Sequence, residues 1–453
     1  MFKEPVSEIA RDRRHVLHSL HNAELQNHAH VWTSGRGAVL VDSTGQEFLD
    51  GLAGLWNVLI GHGRSELADA AAKQMNTLAY ASSYAGSTTR PAIELAERLA
   101  QLCYPTINRF FFTSGGAESN ESAFKTARYF WKLNNQPDKT KIIGRVWGYH
   151  GTTLGAMSAT GISSYWPMFA PCIPGFLHIE GPYPYRFVGT KNGPHDSRTP
   201  GQQAADLLEE AILREGADTV AAFLGEPVQG AGGVIVPPDD YWPRIREICN
   251  RHQVLLVSDD VITGFGRTGT MFGLMQYGIE PDIVTLAKGI TSGYFPLGAM
   301  GVTEQIAGAI DSAVGAKTWM HAFTYSGHPV GCAVALANLD LLERDGLYEK
   351  ARAVGAQLQT QLRTLASHKN VGDVRGLGTI GGVELVADKI TKAEFPTTER
   401  VGHRVHLAAQ RRGFFTRLRG DVFNFAPCYV TTDAQIDRMV NILGEAIEEV
   451  LGR

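Results

Sequence analysis

Lys288 closes the apolar run Asp282-Ile-Val-Thr-Leu-Ala-Lys288-Gly289, and the acidic pair Asp259-Asp260 closes another, Val254-Leu-Leu-Val-Ser258. The end of a buried strand is a costly place for an amine unless the amine is used. Either residue alone reads as a surface charge. At the ends of two strands of one sheet they become a chemical pair: an amine able to condense with an aldehyde, and a carboxylate able to keep a pyridine nitrogen protonated. The protonated ring is an electron sink for the carbanion left when a substrate Cα–H bond breaks. Once displaced by an amine substrate, Lys288 is placed as the general acid/base for the proton shift. This is the combination that pyridoxal phosphate chemistry requires.

Three further constellations carry polar groups into turns. In Thr113-Ser114-Gly115-Gly116-Ala-Glu-Ser-Asn120, glycines between a strand and a helix let backbone N–H groups approach an anion, helped by the helix dipole. The pattern is neither a Walker A loop nor G-x-G-x-x-G, so a nucleotide is not implied. Alone, it suits a structural turn as well as a phosphate cup. In Trp147-Gly-Tyr149-His150-Gly151, an aromatic beside glycines could lie flat on a planar cofactor. Standing alone, that motif reads better as core aromatics near a tight turn. In Gly225-Glu226-Pro-Val-Gln229-Gly-Ala-Gly-Gly233, a strand end brings a carboxylate into a flexible loop, where open α/β sheets gather ligand groups. Structural glycines account for the loop but not for Glu226.

The elements that must position these residues follow from the apolar pattern. Residues 39–42 and 47–50 read as two short strands around a turn at Gly45. Residues 89–103 repeat apolar positions at helical spacing, with Pro91 in the first turn, where its missing N–H does little harm. Strands are expected at 109–113, 220–226, 254–259 and 283–287, and helices at 117–132 and 241–252. Alternation of this kind indicates an α/β domain with a mainly parallel sheet. Helices at 336–343 and 348–365, strands near 381–385 and an amphipathic helix at 433–451 indicate an α+β unit that packs with the N-terminal strands. The expected division is 1–70 as an N-terminal segment of the small domain, 71–330 as the large domain and 331–453 as the C-terminal small domain. Residues 181–200, rich in Pro, Gly and polar residues, read as a loop.

Composition narrows the class. At 453 residues the chain exceeds one ordinary core, and 44% hydrophobic with 19% charged residues describe a globular protein. A net charge of −4 gives no polyanion-binding surface, so no nucleic acid is expected. Five scattered cysteines without a C-x-x-C favour free thiols in a reducing compartment. His15, His18 and His21 recur at helical spacing without a matching ligand set, and read as a solvated helix face; no metal site is expected. The N-terminal fourteen residues carry charges where a signal peptide needs an apolar stretch. With no run long enough for a bilayer, no membrane is expected and the cytoplasm is the expected location.

Taken together, these motifs resemble a known family. Asp50-Gly-Leu-Ala-Gly-Leu-Trp56, Ser114-Gly-Gly-Ala-Glu118, Tyr149-His-Gly151, Glu226-Pro-Val-Gln229, Asp259 to Gly269, Leu286-Ala-Lys288-Gly289 and Thr324-Tyr-Ser-Gly-His-Pro329 stand in the order found in class III, fold-type I pyridoxal phosphate aminotransferases. Within that family the chain is most similar to ω-amino acid:pyruvate and amine:pyruvate transaminases. The resemblance implies an α/β fold-type I transferase, with a mainly parallel large-domain sheet and a smaller α+β domain. It implies Lys288 and Asp259 as catalytic residues. It implies cofactor contacts from Ser114, Gly115, Gly116, Tyr149, His150, Glu226 and Val261, with Tyr149 and Val261 on opposite ring faces. Thr324 would reach the phosphate of a neighbouring subunit, which makes a homodimer part of the site; a tetramer stays open. Trp56, Tyr84, Ala85 and Tyr149 would line the substrate pocket, and Arg417 matches the family's mobile arginine, suited to a carboxylate.

Two positions depart from the family pattern. Asp260 shortens the second acid of the usual Asp-Glu pair, and Gly116 stands where a hydroxyl residue is common; both bear on cofactor retention. The expected activity is transfer of an amino group from a terminal primary amine or ω-amino acid, such as β-alanine, to pyruvate by a ping-pong mechanism. The alternatives are a 2-oxoglutarate-dependent aminotransferase, an aminomutase, a decarboxylating transaminase, or a cofactor-binding protein without turnover. The physiological donor is open.

Overall fold

Strands without polar alternation are buried on both faces, and such runs dominate the middle of the chain. The computed structural model describes residues 7–27, 29–189 and 196–452. Near the N-terminus, β1 (Trp32–Arg36), β2 (Val39–Asp42) and β3 (Glu47–Asp50) form an antiparallel meander, with the turn at Gly45 as expected. The central sheet then takes β4 (Ile107–Thr113), β5 (Lys141–Arg145), β6 (Phe176–Ile179), β7 (Val220–Gly225), β8 (Leu255–Asp259), β9 (Ile283–Leu286) and β10 (Gly298–Thr303). Their order is β4-β10-β9-β8-β7-β5-β6. The strands from β9 through β6 run parallel, while β10 is antiparallel to both its neighbours. The mainly parallel large sheet is therefore present.

Strand β10 escapes the apolar pattern because glycines replace side chains where neighbouring strands and a helix press on it. A Cβ at Gly298 would come within 2.5 Å of Thr113 Oγ1 and 2.7 Å of Ser119 Oγ. Ser119 lies on the helix Gly116–Leu133, which packs on β10.

The C-terminal part contributes β11 (Val371–Leu377), β12 (Ile380–Leu385), β13 (Phe414–Phe415), β14 (Arg417–Arg419) and β15 (Val422–Phe425). One sheet has the order β11-β12-β15-β14, while β13 joins the N-terminal meander beside β3. The helix Asp433–Leu451 has a capping box between Thr432 and Gln435, and buries Ile436, Met439, Val440, Leu443 and Ile447 at helical spacing. These side chains share a core with Leu358, Val383, Phe414 and Phe423.

Three local expectations change. The helix expected to start at 336 is Pro329–Arg344, opened by Pro329 in its first turn and by the His328 ring accepting from the Val330 N–H. Its buried Val330, Val334, Leu339 and Leu342 belong to the core around the central sheet, so this packing runs past residue 330. The histidines do not share a helix face: the helix Glu8–His15 ends in an extended Val16, beyond which His18 and His21 stack at 6.1 Å. The stretch 181–200 ends at Thr199, which caps the helix Pro200–Glu215. Residues 190–195 of that stretch, and residues 1–6 of the charged N-terminus, lie outside the described residues. Among the described residues no helix is long and apolar enough to cross a membrane.

Candidate active site

The carboxyl ends of β5, β7, β8 and β9 open into one cavity of about 410 Å³. Lys288 lies two residues beyond β9, in a short turn Lys288–Ile290, and its own φ is +45°. A side chain on left-handed backbone stores strain, which a fold retains only where the surroundings over-determine it. Gly289 allows the turn to sit against Leu59, which a Cβ would meet at 2.8 Å. Desolvation pushes the Lys288 amine down to about 8, against the opposing charges of Asp259 and Glu226.

Asp259, the last residue of β8, is 3% exposed. Its Oδ2 meets His150 Nδ1 at 2.7 Å and accepts from Asn120 Nδ2 at 2.9 Å, while Oδ1 accepts from the Val261 N–H at 3.1 Å. Burial works against its charge, but His150, Asn120 and the Lys288 charge outweigh it and hold the carboxyl below its ordinary value. Asn120 is fixed in turn, donating to the His150 carbonyl and accepting from Thr285 Oγ1. Sequence reasoning missed Asn120 as a site residue. The available signal was a polar run, Ser119, Asn120 and Ser122, on a helix face that is otherwise apolar and buried.

Asp260 faces the other way. Its two oxygens accept from Tyr104, Ser258, Thr263 and the Gly273 N–H at 2.7–2.8 Å, and it is absent from the cavity lining. A longer acid would have to repack that closed network, so the shorter side chain suits a structural position behind the sheet.

The phosphate-cup expectation falls on the start of the helix Gly116–Leu133. Gly115 is extended, with no side-chain cap, and Ser114, Gly115 and Gly116 line the cavity. The uncapped first-turn N–H groups of this long helix form an anion cradle. A Cβ at Gly116 would lie 3.0 Å from Val261 Cγ1, so glycine here matches the valine opposite.

Glu226, 3% exposed, ties two loops together: Oε1 accepts from the Tyr149 N–H and Oε2 from the Gly230 N–H, both at 2.9 Å. Burial raises its pKa. The Tyr149 ring tilts against Tyr165 at 5.6 Å and lines the cavity. Behind Glu226, the buried Arg145 guanidinium donates to the Glu226 carbonyl and lies 5.0 Å from the Trp242 ring centre. Arg145 was not foreseen as a support.

Trp56, 1% exposed, arrives from a loop with positive φ at Ala53, Gly54 and Trp56 itself. Asp50 anchors that loop, accepting from the Leu52 and Gly54 N–H groups at 3.1 and 2.7 Å and meeting His62 Nε2 at 2.8 Å. The motif is visible in the sequence, but the anchoring task of Asp50 is not. Arg417, on β14, lines the cavity and also a second one of about 670 Å³ that includes Trp32, His406 and Phe415. Among the described residues its guanidinium has no hydrogen-bond or ion-pair partner.

The single chain does not bring every expected residue here. Tyr84, Ala85 and Thr324 are exposed and outside the cavity lining, and the Thr324 carbonyl accepts from Tyr80 Oη at 2.7 Å. The groups that do converge are a depressed amine, an ionised buried carboxylate, an anion cradle and an aromatic face. That donor set fits a planar heterocycle carrying a phosphate and an aldehyde.

Comparison with known proteins gives concordant findings. The family model described as aminotransferase class-III matches residues 21–447. A putrescine–pyruvate aminotransferase of Pseudomonas aeruginosa is 40% identical, over 93% of this chain and 91% of that protein. A diaminobutyrate–2-oxoglutarate transaminase of Halomonas elongata is 38% identical, over 98% and 96%. Among solved structures, a thermostable (S)-enantioselective ω-transaminase from Thermomicrobium roseum superposes with a TM-score of 0.93, at 48% identity and 98% coverage of each chain.

Proposed function

The chain belongs to the class III aminotransferases, pyridoxal phosphate enzymes, and from that premise we propose that it moves the amino group of a terminal primary amine or ω-amino acid to pyruvate. The observation that carries this reading is Arg417, a guanidinium on the wall of the Lys288 cavity without a partner among the described residues. One guanidinium suits the one carboxylate of pyruvate. Among the described residues lining the cavity it is the sole arginine, whereas 2-oxoglutarate would present a second carboxylate. The putrescine–pyruvate relative supports the same acceptor. The diaminobutyrate–2-oxoglutarate relative supports the rival one, so the assay must include both keto acids.

When bound, the cofactor supplies an electron sink and an aldehyde that carries the amino group between substrates. The backbone N–H groups of Gly115 and Gly116 would hold its phosphate, while the Ser114 N–H donates to Glu118 Oε2 at 2.7 Å. Tyr149 and Val261 would flank its ring, and Glu226 fixes the Tyr149 loop. Asp259, kept ionised by His150 and Asn120, would hold a proton on the ring nitrogen. Lys288 Nζ, neutral for much of the time near pH 8, would take and return the proton at the substrate carbon. Trp56 and Tyr149 would shape the pocket and exclude water. Tyr84, Ala85 and Thr324 would enter from a second protomer, which makes the functional unit a homodimer or a tetramer built from it. The cytoplasm suits such an enzyme with free thiols.

The test is an amine panel against pyruvate and 2-oxoglutarate with the purified holoenzyme. Lys288→Ala is expected to abolish turnover; near-normal turnover would sink the assignment. Arg417→Ala is expected to impair pyruvate more than a simple apolar amine, and equal impairment removes its role.

A further inference from the structure

Strand β14 is a poor platform for a specificity residue. It has three residues and stands at the edge of its sheet, hydrogen-bonded to β15 on one side alone. An edge strand this short is free to shift unless something holds its open side. Arg417 begins it, and Arg419, two residues on, projects from the same face of the strand.

Arg419 has an unusual environment. Its Cζ sits 3.9 Å from the centre of the Trp147 ring, and its Nε is buried without an acceptor among the described residues. The neighbouring Arg375, by contrast, is fully employed. It pairs with Asp373 and Glu384, and its Nε donates to the Gly233 and Val234 carbonyls at 2.9 and 3.0 Å. Burying one edge of a guanidinium without an acceptor is expensive, and an aromatic face is the compensation available to it here.

Trp147 is itself held firmly. It has φ +65°, and its backbone is pressed by Gly232, where a Cβ would lie 2.2 Å from the Trp147 carbonyl oxygen. A Cβ at Gly233 would meet Arg375 Nη2 at 3.3 Å and Arg419 Nε at 3.4 Å. Trp147 precedes Tyr149 by two residues, in the loop fixed by Glu226. The Arg419–Trp147 contact therefore joins the strand carrying Arg417 to the loop carrying Tyr149.

We propose that Arg419 is a positioning residue for carboxylate substrates: stacked on Trp147, it anchors edge strand β14 and sets where Arg417 points into the cavity. The proposal rests on the reading of Arg417 as the carboxylate-binding group. Arg419 does not line the cavity itself, so its loss acts on one substrate class.

The test uses the holoenzyme, following the half-reaction with 1-phenylethylamine, an amine without a carboxylate, separately from the half-reaction with pyruvate. Arg419→Leu is expected to raise the pyruvate KM roughly tenfold, because sub-ångström misplacement of a binding group is costly, while the 1-phenylethylamine rate changes less than about twofold. Arg419→Lys, which keeps a cation over the ring, is expected to recover part of the loss. Trp147→Leu reads the same contact from its other side should Arg419→Leu fail to fold. The double variant is expected to be no worse than the more severe single one. Equal loss with both substrates and a lowered Tm would overturn the proposal in favour of a purely structural contact. An unchanged pyruvate KM in Arg419→Leu, beside a raised one in Arg417→Ala, would overturn it and leave the Arg417 reading standing. An unchanged pyruvate KM in Arg417→Ala would overturn that underlying reading.

Discussion

At the scale of single residues, the pair proposed to perform the chemistry was legible because each member breaks an apolar run. Lys288 and Asp259 are charges in places where burial makes charge expensive, and the cavity explains both. Asn120 and Asp50 were not legible in their roles, because a polar residue on a helix or in a loop has many ordinary explanations. The burial of Lys288 has a measurable consequence. Its amine is pushed from 10.5 to about 8, so labelling of the cofactor-free protein by an amine-selective reagent should show Lys288 gaining reactivity with a midpoint near pH 8. A midpoint near that of surface lysines would contradict the desolvation. The sign for stability follows: between about 8 and 10.5 the unfolded chain binds more protons at this position than the folded one. The cofactor-free protein should therefore gain Tm relative to Lys288→Met as pH rises through that window, and lose it as pH falls.

At the scale of elements, the strands and helices with unbroken apolar patterns were readable nearly to the residue, as the helix Asp433–Leu451 shows. Strand β10 was not, because close packing by neighbouring strands and a helix replaces its pattern with glycine. The same close-packing logic applies where the helix Gly116–Leu133 begins against Val261. Gly116→Ser should cost about 1–3 kcal/mol through overpacking, read as a lower Tm and faster cofactor loss on dialysis. Adding Val261→Ala should relieve much of it; no relief would mean that another neighbour demands the glycine. At the end of β3, Asp50→Asn keeps one acceptor oxygen and leaves either the Leu52 or the Gly54 N–H without its partner, which should cost about 1–3 kcal/mol. Quenching of Trp56 fluorescence by acrylamide should rise in that variant, and an unchanged signal would show that the loop holds itself.

For the whole molecule, the sequence indicated two kinds of architecture, parallel α/β and α+β, and both cores are present. The long-range event it did not reveal is the helix Pro329–Arg344 joining the larger core, since packing partners are not written into periodicity. The exposure of Tyr84, Ala85 and Thr324 bears on assembly. If Thr324 completes a partner's site, Lys288→Ala and Thr324→Ala protomers, each impaired alone, should regain activity when refolded together. One site of the mixed dimer then has both intact residues; no recovery would place Thr324 within its own subunit's site. The position of β14 has a further consequence. Asp259 ends a strand flanked on both sides and Lys288 closely follows another, where a change disturbs two ladders, whereas Arg417 rides a strand with one neighbour among the described residues. On the proposed role of Arg417, acceptor preference is the part of this enzyme that descent can revise cheaply, because drift at the margin of one sheet leaves the inherited reaction untouched at the centre of another.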